Sequence, residues 1–328
     1  MSELIRVGIV GYGNLGQGVE RALAASRDMR LVGVFSRRPA ASVPTLGEAV
    51  PIHTMEELDA FDGAIDLLIL CGGSRDDLPV QSPKLAAKFN IIDSFDTHAR
   101  IPSHFAAVDS AARESQHTAL IAAGWDPGLF SLNRLFGEVI LPRGETYTFW
   151  GRGLSQGHSD AIRHVEGVKA GVQYTVPAED AIARVRSGER PQLTTREKHA
   201  RVCYVVLEDG ADRERVTQQI QTMPDYFVDY DTSVTFISED ELRRDHAAMP
   251  HGGFVIRSGE TGDANRQLIE YRLQLDSNPE FTASVLVAYG RATYRLNQRG
   301  DFGAKTVFDV PPGLLAIKSM EQLRMELL

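Results

Sequence analysis

Gly11-Tyr12-Gly13-Asn14-Leu15-Gly16 sets three glycines at the spacing of a phosphate-cradling turn. Gly11 permits the tight turn, Gly13 lets the backbone approach a pyrophosphate, and Gly16 allows helix and strand to pack closely. The helix that starts there offers N–H groups and a partial positive charge to an anion. Alone the motif is weak. Here an apolar, β-branched run over residues 4–10 precedes it and a helical pattern to about Ser26 follows, which makes it a dinucleotide site. A second strand ends in Phe35-Ser36-Arg37-Arg38. An NAD site usually carries an acid at that tip to meet the ribose hydroxyls. A hydroxyl and two guanidiniums suit a 2′-phosphate instead, so the expected cofactor is NADP; the alternative is a pair of arginines on a solvated loop. Cys71-Gly72-Gly73-Ser74 ends a third apolar run on the same edge, either under the cofactor or as a plain strand–helix turn.

Four further stretches combine glycine with aromatics, acids and histidines, as a close-fitting polar site requires. They are Asp93 to Asp96, Gly124-Trp125-Asp126-Pro127-Gly128, Thr148 to Asp160, and Met249-Pro250-His251-Gly252-Gly253. Each has a plainer reading. Asp96 and Asp126 suit turns or helix caps, His251 a turn, and Ser159-Asp160 the N-terminal cap of the next helix; Arg201, on a later strand-like run, suits a surface charge. For His158 and Asp160 the structural role is favoured. No metal-ligand spacing is present.

These residues need elements to hold them. Strand-like runs at 4–10, 29–35 and 64–70, with shorter ones ending at Asp93 and Ala123, alternate with helical patterns and are apolar nearly throughout. That is a doubly wound parallel sheet covered on both faces. From about Glu145 the strands turn amphipathic, at 145–150, 168–175, 200–207, 233–237 and 267–275, with helices at 178–187 and 213–221. This suits an open mixed or antiparallel α+β sheet. Residues 279–297 have helical spacing with Asn278 as N-cap. The boundaries expected are a dinucleotide-binding domain over 1–123 and a second domain over 124–297, with residues 298–328 returning to pack on the first.

A chain of 328 residues exceeds one comfortable core. A net charge of −9 argues against nucleic acid as partner. Two cysteines, Cys71 and Cys203, are too few for a disulfide framework and read as buried free thiols. No secretory leader or membrane-length apolar run is evident, so a cytoplasmic location without membrane attachment is expected.

At these residues the sequence resembles the meso-diaminopimelate dehydrogenases, NADP-linked enzymes of bacterial lysine and cell-wall synthesis. The matching stretches are residues 10–16, 35–38, 124–128, 149–161, 222–227, 249–253 and 281–284. They run in order over most of the chain, leaving only the C-terminal tail without a distinctive match. The resemblance implies a homodimer with a Rossmann-type domain, a substrate domain and a dimerisation region. It implies reversible oxidative deamination at the D-centre of meso-diaminopimelate, giving L-2-amino-6-oxopimelate, which cyclises to tetrahydrodipicolinate, with ammonia and NADPH. By the same match Asp96 and Asp126 hold the reacting ammonium, with Trp125 beside them. Thr175, Arg201, His251 and Asn278 grip the distal L-centre, Phe149 and Trp150 form a wall, and Gln156-Gly157 a backbone edge.

Two other classes fit the residues less well. A related oxidoreductase acting on sugars would show a Lys-Pro pair where Asp93 to Asp96 stand, and one acting on a semialdehyde would need an activated cysteine. Another D-amino acid remains open as substrate. A nicotinamide-sensing regulator that binds DNA would carry a basic helix-turn-helix segment, and none is evident.

Overall fold

A computed structural model describes residues 4–43, 45–46 and 50–328. The chain divides into two compact units, residues 1–132 with 279–328, and residues 133–278.

Among the described residues the first unit is built on seven strands. β1 (Ile5–Val10), β2 (Met29–Ser36), β3 (Ile52–Thr54), β4 (Leu67–Leu70), β5 (Ile91–Asp93) and β6 (Thr118–Leu120) stand in the order β6-β5-β4-β1-β2-β3, and a strand at Gly303–Lys305 joins beyond β6. Every pairing is parallel. The direction of growth reverses between β1 and β4, and ligands of such sheets bind at the carboxyl ends near that switch.

Successive side chains of a strand point to opposite faces, and the cores follow that rule. Ile5, Val7, Ile9, Leu67 and Ile69 enter one hydrophobic cluster, while Val10, Leu68 and Leu70 enter the other. The second cluster is closed by α2 (Leu78–Ala86) and α3 (Ile101–Glu114). The first lies under α1 (Asn14–Ala24), the long helix Asn278–Asn297 and the tail residues Val307, Val310 and Leu314. The long helix was expected in the second domain. Its small and apolar face, Ala283, Leu286, Val287 and Ala292, lies instead in the core of the first unit. Glycine at position 18 admits that close approach, since a Cβ there would stand 3.0 Å from the Ala283 Cβ.

The second unit holds two sheets where the sequence suggests one. β7 (Gly144–Trp150), β8 (Gly153–Leu154), β9 (Val168–Pro177), β10 (His199–Leu207), β11 (Asp231–Phe236), β12 (His251–Thr261) and β13 (Asn265–Leu275) sort into the sheets β11-β10-β9-β8 and β13-β12-β7. The four-stranded sheet is mixed, because β10 and β11 run parallel while its other neighbours are antiparallel. The three-stranded sheet is antiparallel throughout. β12 is absent from the strands expected. Its opening glycines read as a loop, yet a Cβ at Gly252 would lie 2.1 Å from the Leu273 carbonyl, so glycine is what lets the strands pair there. Among the described residues no helix is long and apolar enough to cross a membrane.

An ion pair between buried Arg291 and half-buried Asp28 ties the tail into the first unit. Arg291 donates to both Asp28 oxygens at 2.5 and 2.9 Å and to the Leu315 carbonyl at 2.9 Å. Burial alone would raise the Asp28 carboxyl, but Arg291 outweighs it and holds it below its ordinary value of 3.8. A depressed carboxylate contributes stability above that ordinary value and loses it as pH falls further. Arg291→Met is therefore expected to lower the unfolding free energy by about 2–4 kcal/mol at neutral pH. The difference should narrow below about pH 4, and an unchanged urea midpoint at neutral pH would count against this account.

Candidate active site

At the carboxyl edge of the first unit, the glycine turn has the geometry its residues demand. Gly11 adopts φ +87°, and its N–H donates to the Phe35 carbonyl at 2.9 Å. A Cβ on Gly16 would lie 2.4 Å from the Gly11 carbonyl oxygen, so helix and turn can touch only with glycine there. A Cβ on Gly13 would meet nothing within 4 Å. That opening lies at the start of α1, whose first residues are Asn14, Leu15 and Gly16, and it suits a diphosphate against the helix N-terminus. The Tyr12 side chain turns inward instead. It is buried, donates to Glu20, and is pushed up to about 12 by burial first and Glu20 second. Tyr12 can serve a ligand only through its backbone, whose carbonyl accepts from Arg38.

Ser36 is buried, and its hydroxyl accepts from the Arg38 amide at 3.0 Å. Arg37 is exposed and pairs with Asp77 at 2.8 Å. Asp77 also accepts from the Gly73 amide at 3.0 Å, which links Arg37 to the Cys71-Gly72-Gly73-Ser74 loop. Burial pushes the Cys71 thiol upward, and the Cys203 thiol to about 12. Neither is a thiolate near neutrality, as a thiohemiacetal mechanism would require.

Asp96 and the Trp125-Asp126 turn leave neighbouring strands of the same edge. The Asp96 amide donates to the Ser74 hydroxyl at 3.1 Å. Trp125 is buried, meets Phe130 edge-on at 5.2 Å, and forms an antiparallel bridge with Gly128. Behind both loops lies Asp93, fully buried at the end of β5. It accepts from the Phe95 amide at 3.1 Å, the Ala122 amide at 2.9 Å, the Ser82 hydroxyl at 2.6 Å and the His104 Nε2 at 2.8 Å. The sequence marks Asp93 as a strand end and the first residue of a polar stretch, with no partner named. Its role as a hydrogen-bond centre comes from segments far apart in the chain.

In the second unit, Thr175 and Arg201 face each other across β9 and β10, and the Arg201 guanidinium donates to the Thr175 hydroxyl. Arg201 is 6% exposed, stacks on the Tyr230 ring at 3.8 Å, and leaves its Nε without an acceptor. No carboxylate among the described residues pairs with it. A buried cation so placed calls for an anion from outside. Nothing in the sequence marks Tyr230 beyond its place shortly after the 222–227 stretch.

His251 opens β12 rather than a turn, and its ring packs against Gly153, where a Cβ would come within 2.4 Å of it. Gly153 is the register partner of Thr175. The Asn278 amide donates to the Met249 carbonyl at 2.9 Å, and Gln156 Nε2 reaches the Met249 sulfur at 3.3 Å. Thr175, Arg201, His251, Asn278, Gln156 and Gly157 thus gather around β8 and the segment entering β12. Gln156 and Gly157 begin α5 (Gln156–Arg163), with Ser155 at the N-cap. That displaces the cap expected at Ser159-Asp160: Ser159 is buried one turn inside, donating to the Ser155 carbonyl and accepting from the Gln173 amide.

Phe149 also departs from expectation. It is wholly buried in a cluster with Tyr147, Ile182, Val185 and Ile256. Adjacent residues of a strand face opposite ways, so a wall made of both Phe149 and Trp150 is excluded. Trp150 remains, stacked on His199 at 5.3 Å, with its amide donating to His199 Nε2 at 2.8 Å.

A family model described as "Diaminopimelic acid dehydrogenase C-terminal domain" matches residues 124–277. The chain is 61% identical to a meso-diaminopimelate D-dehydrogenase of Ureibacillus thermosphaericus, covering 99% of each. Among solved structures it is similar to the C. glutamicum diaminopimelate dehydrogenase in complex with DAP, at 46% identity and a TM-score of 0.92 over 99% of each chain. An engineered D-amino acid dehydrogenase bound to NADP+ matches at 44% identity and a TM-score of 0.88, covering 99% of this chain and 100% of that one.

Two histidines near Arg201 stay neutral. His199 is pushed down to about 3, by burial first and then by Arg201; His158 is lowered to about 4 for the same reasons in the same order. With a depressed folded-state value, the unfolded chain takes the proton first. Stability should therefore fall as pH drops from about 6.5 towards 3, with His199 accounting for about 2–3 kcal/mol between pH 6.5 and 4.5. His199→Gln keeps an acceptor for the Trp150 amide and removes the titration, so its profile should be flatter. Parallel profiles for the two proteins, measured by urea unfolding, would refute the assignment.

Proposed function

The chain belongs to the meso-diaminopimelate D-dehydrogenase family, and from that premise we propose the following reaction and residue roles for it. The reaction is the reversible oxidative deamination of the D-centre of meso-2,6-diaminopimelate with NADP. It gives L-2-amino-6-oxopimelate, which closes to tetrahydrodipicolinate, and ammonia, as a step in diaminopimelate and lysine formation. One observation supports the reading: the loops bearing Asp96 and Asp126 leave neighbouring strands at the sheet edge that also carries the glycine turn, while the second unit holds a buried guanidinium that pairs with no carboxylate among the described residues. A substrate with an amine to lose and a remote carboxylate to anchor needs both polarities.

The nicotinamide supplies the hydride acceptor. The chain's own part is charge and placement. Asp96 and Asp126 hold the ammonium of the D-centre and draw off a proton, so that the nitrogen lone pair can assist departure of hydride from the α-carbon. Water then adds to the resulting imine and ammonia leaves. Trp125 backs the acids, and Trp150 with the backbone at Gln156 and Gly157 confines the carbon chain. Arg201 and Thr175 take the distal carboxylate, and His251 and Asn278 the rest of the L-centre. Remote anchoring of this kind turns binding energy into orientation at the reacting carbon.

The turn at Gly11, Gly13 and Gly16 holds the diphosphate, with Tyr12, Asn14 and Leu15 contributing backbone. Cys71, Gly72, Gly73 and Ser74 flank it, while Ser36, Arg37 and Arg38 meet the 2′-phosphate. Arg37 must exchange Asp77 for that phosphate, which offers more charge and more acceptor oxygens. A homodimer fits the exposed apolar row Leu135, Phe136, Val139 and Ile140 on α4 (Leu129–Ile140), a surface a monomer would leave in water.

Offering meso-, LL- and DD-diaminopimelate with each cofactor tests the substrate assignment. Turnover should require a D-centre opposite an L-centre and should favour NADP; equal rates with the LL isomer would overturn it. Replacing Arg37 and Arg38 with Ala should weaken NADPH by about 10²-fold or more while shifting NADH by about threefold at most. Equal losses for both cofactors would remove the 2′-phosphate assignment.

A further inference from the structure

We propose that Asp93 is a positioning residue for the reaction: its carboxylate, held from behind by Ser82 and His104, fixes the two loops that carry Asp96 and Asp126. The inference rests on the reading of those two acids as the groups that meet the reacting ammonium. Asp93 itself is fully buried and cannot reach a substrate.

Its two oxygens divide the work. Oδ1 accepts from the amides of Phe95 and Ala122, one on each acid-bearing loop, at 3.1 and 2.9 Å. Oδ2 accepts from Ser82 Oγ on α2 and His104 Nε2 on α3, at 2.6 and 2.8 Å. The Asp93 carbonyl accepts from the Ala123 amide at 3.0 Å, so the second loop is held twice. Phe95 is clamped again from the side, its ring stacked on His104 at 4.1 Å and 18°.

Between those two anchored amides lies a strained residue. Ala122 adopts φ +54°, a left-handed conformation that an alanine enters only under constraint. The bonds from Ala122 and Ala123 to Asp93 supply that constraint, and the chain leaves it directly for Gly124, Trp125 and Asp126. Phe95 immediately precedes Asp96. One carboxylate oxygen is therefore the common origin of both loops, and a shift of either would change the spacing of the two acids.

The test compares Asp93→Ala, Asp93→Asn, Asp96→Asn and Asp126→Asn by kcat and KM for meso-diaminopimelate, NADPH affinity and melting temperature. Asp93→Ala should lower kcat per folded molecule by about 30-fold or more, since misplacement of about 1 Å is enough for such losses. NADPH affinity should stay within about twofold, because the glycine turn and Arg37-Arg38 hang from other strands. Asp93→Asn should recover most of kcat: its carbonyl can accept both amides while its NH2 meets Ser82 and the other tautomer of His104. In the Asp93→Ala background, Asp96→Asn should cost less than it does in the parent, the mark of groups acting together. If Asp93→Ala fails to fold, the double variant Ser82→Ala/His104→Phe removes the rear anchors and should lower kcat by about tenfold.

A folded Asp93→Ala protein with parental kcat and a lower melting temperature would assign Asp93 to stability and overturn the proposal, leaving the acids' roles intact if their Asn variants are impaired. Parental kcat in both Asp96→Asn and Asp126→Asn would instead remove the catalytic reading, and the positioning role with it.

Discussion

Water cannot reach the carboxylate of Asp93, so donors from four separate segments of the first unit meet it: the loops after β5 and β6, α2 and α3. Leaving any of them out would strand a buried charge or a buried donor, at a cost far above that of an ordinary lost hydrogen bond. The network is therefore close to all-or-none. Its effect is to convert the burial of one acid into the placement of two others. The parallel sheet brings the strand ends to one edge, but strand ends alone leave loops free to move. The carboxylate removes that freedom.

The second unit meets the same constraint with the opposite sign. Arg201 is a buried cation whose neighbours are a hydroxyl, a phenol ring and imidazoles held neutral. Its own burial works against its charge. Where Asp93 is satisfied from within, Arg201 is left partly unsatisfied. An incomplete buried ion is a poor contribution to stability, and such groups concentrate where function needs them. Between them the two residues show two fates of a buried charge: fully bonded in one case, left with an unmet donor in the other.

Much of this was legible in the sequence for reasons that can be named. The glycine turn was readable because only glycine fits at Gly11 and Gly16, so residue type reports backbone geometry directly. The tip at Ser36 to Arg38 was readable because its position relative to that turn is nearly constant in such sheets. The misses have physical causes too. β12 was hidden because its first glycines serve close strand pairing and not a turn. Phe149 was misplaced although the signal was present: Tyr147 and Phe149 share a face, and Trp150 must take the other. The spacing of the long helix does not reveal its unit, because amphipathic spacing tells that a face is buried and not against what. Asp93 stands in a polar stretch that the sequence marks, but its role at the centre of Ser82, Phe95, His104 and Ala122 is not legible there, since local pattern carries no record of such meetings.

The first unit is discontinuous, and this has a consequence for how the protein is made. One face of its sheet is covered by residues 279–328, which leave the ribosome only after the whole second unit has been made. Until they emerge, Val7, Ile9, Leu67 and Ile69 have no lid from the tail, and a compact unit of 146 residues, 133–278, is made in between. Nascent chains long enough to finish the second unit but not the tail will therefore display a bare apolar sheet face, the surface that chaperones bind.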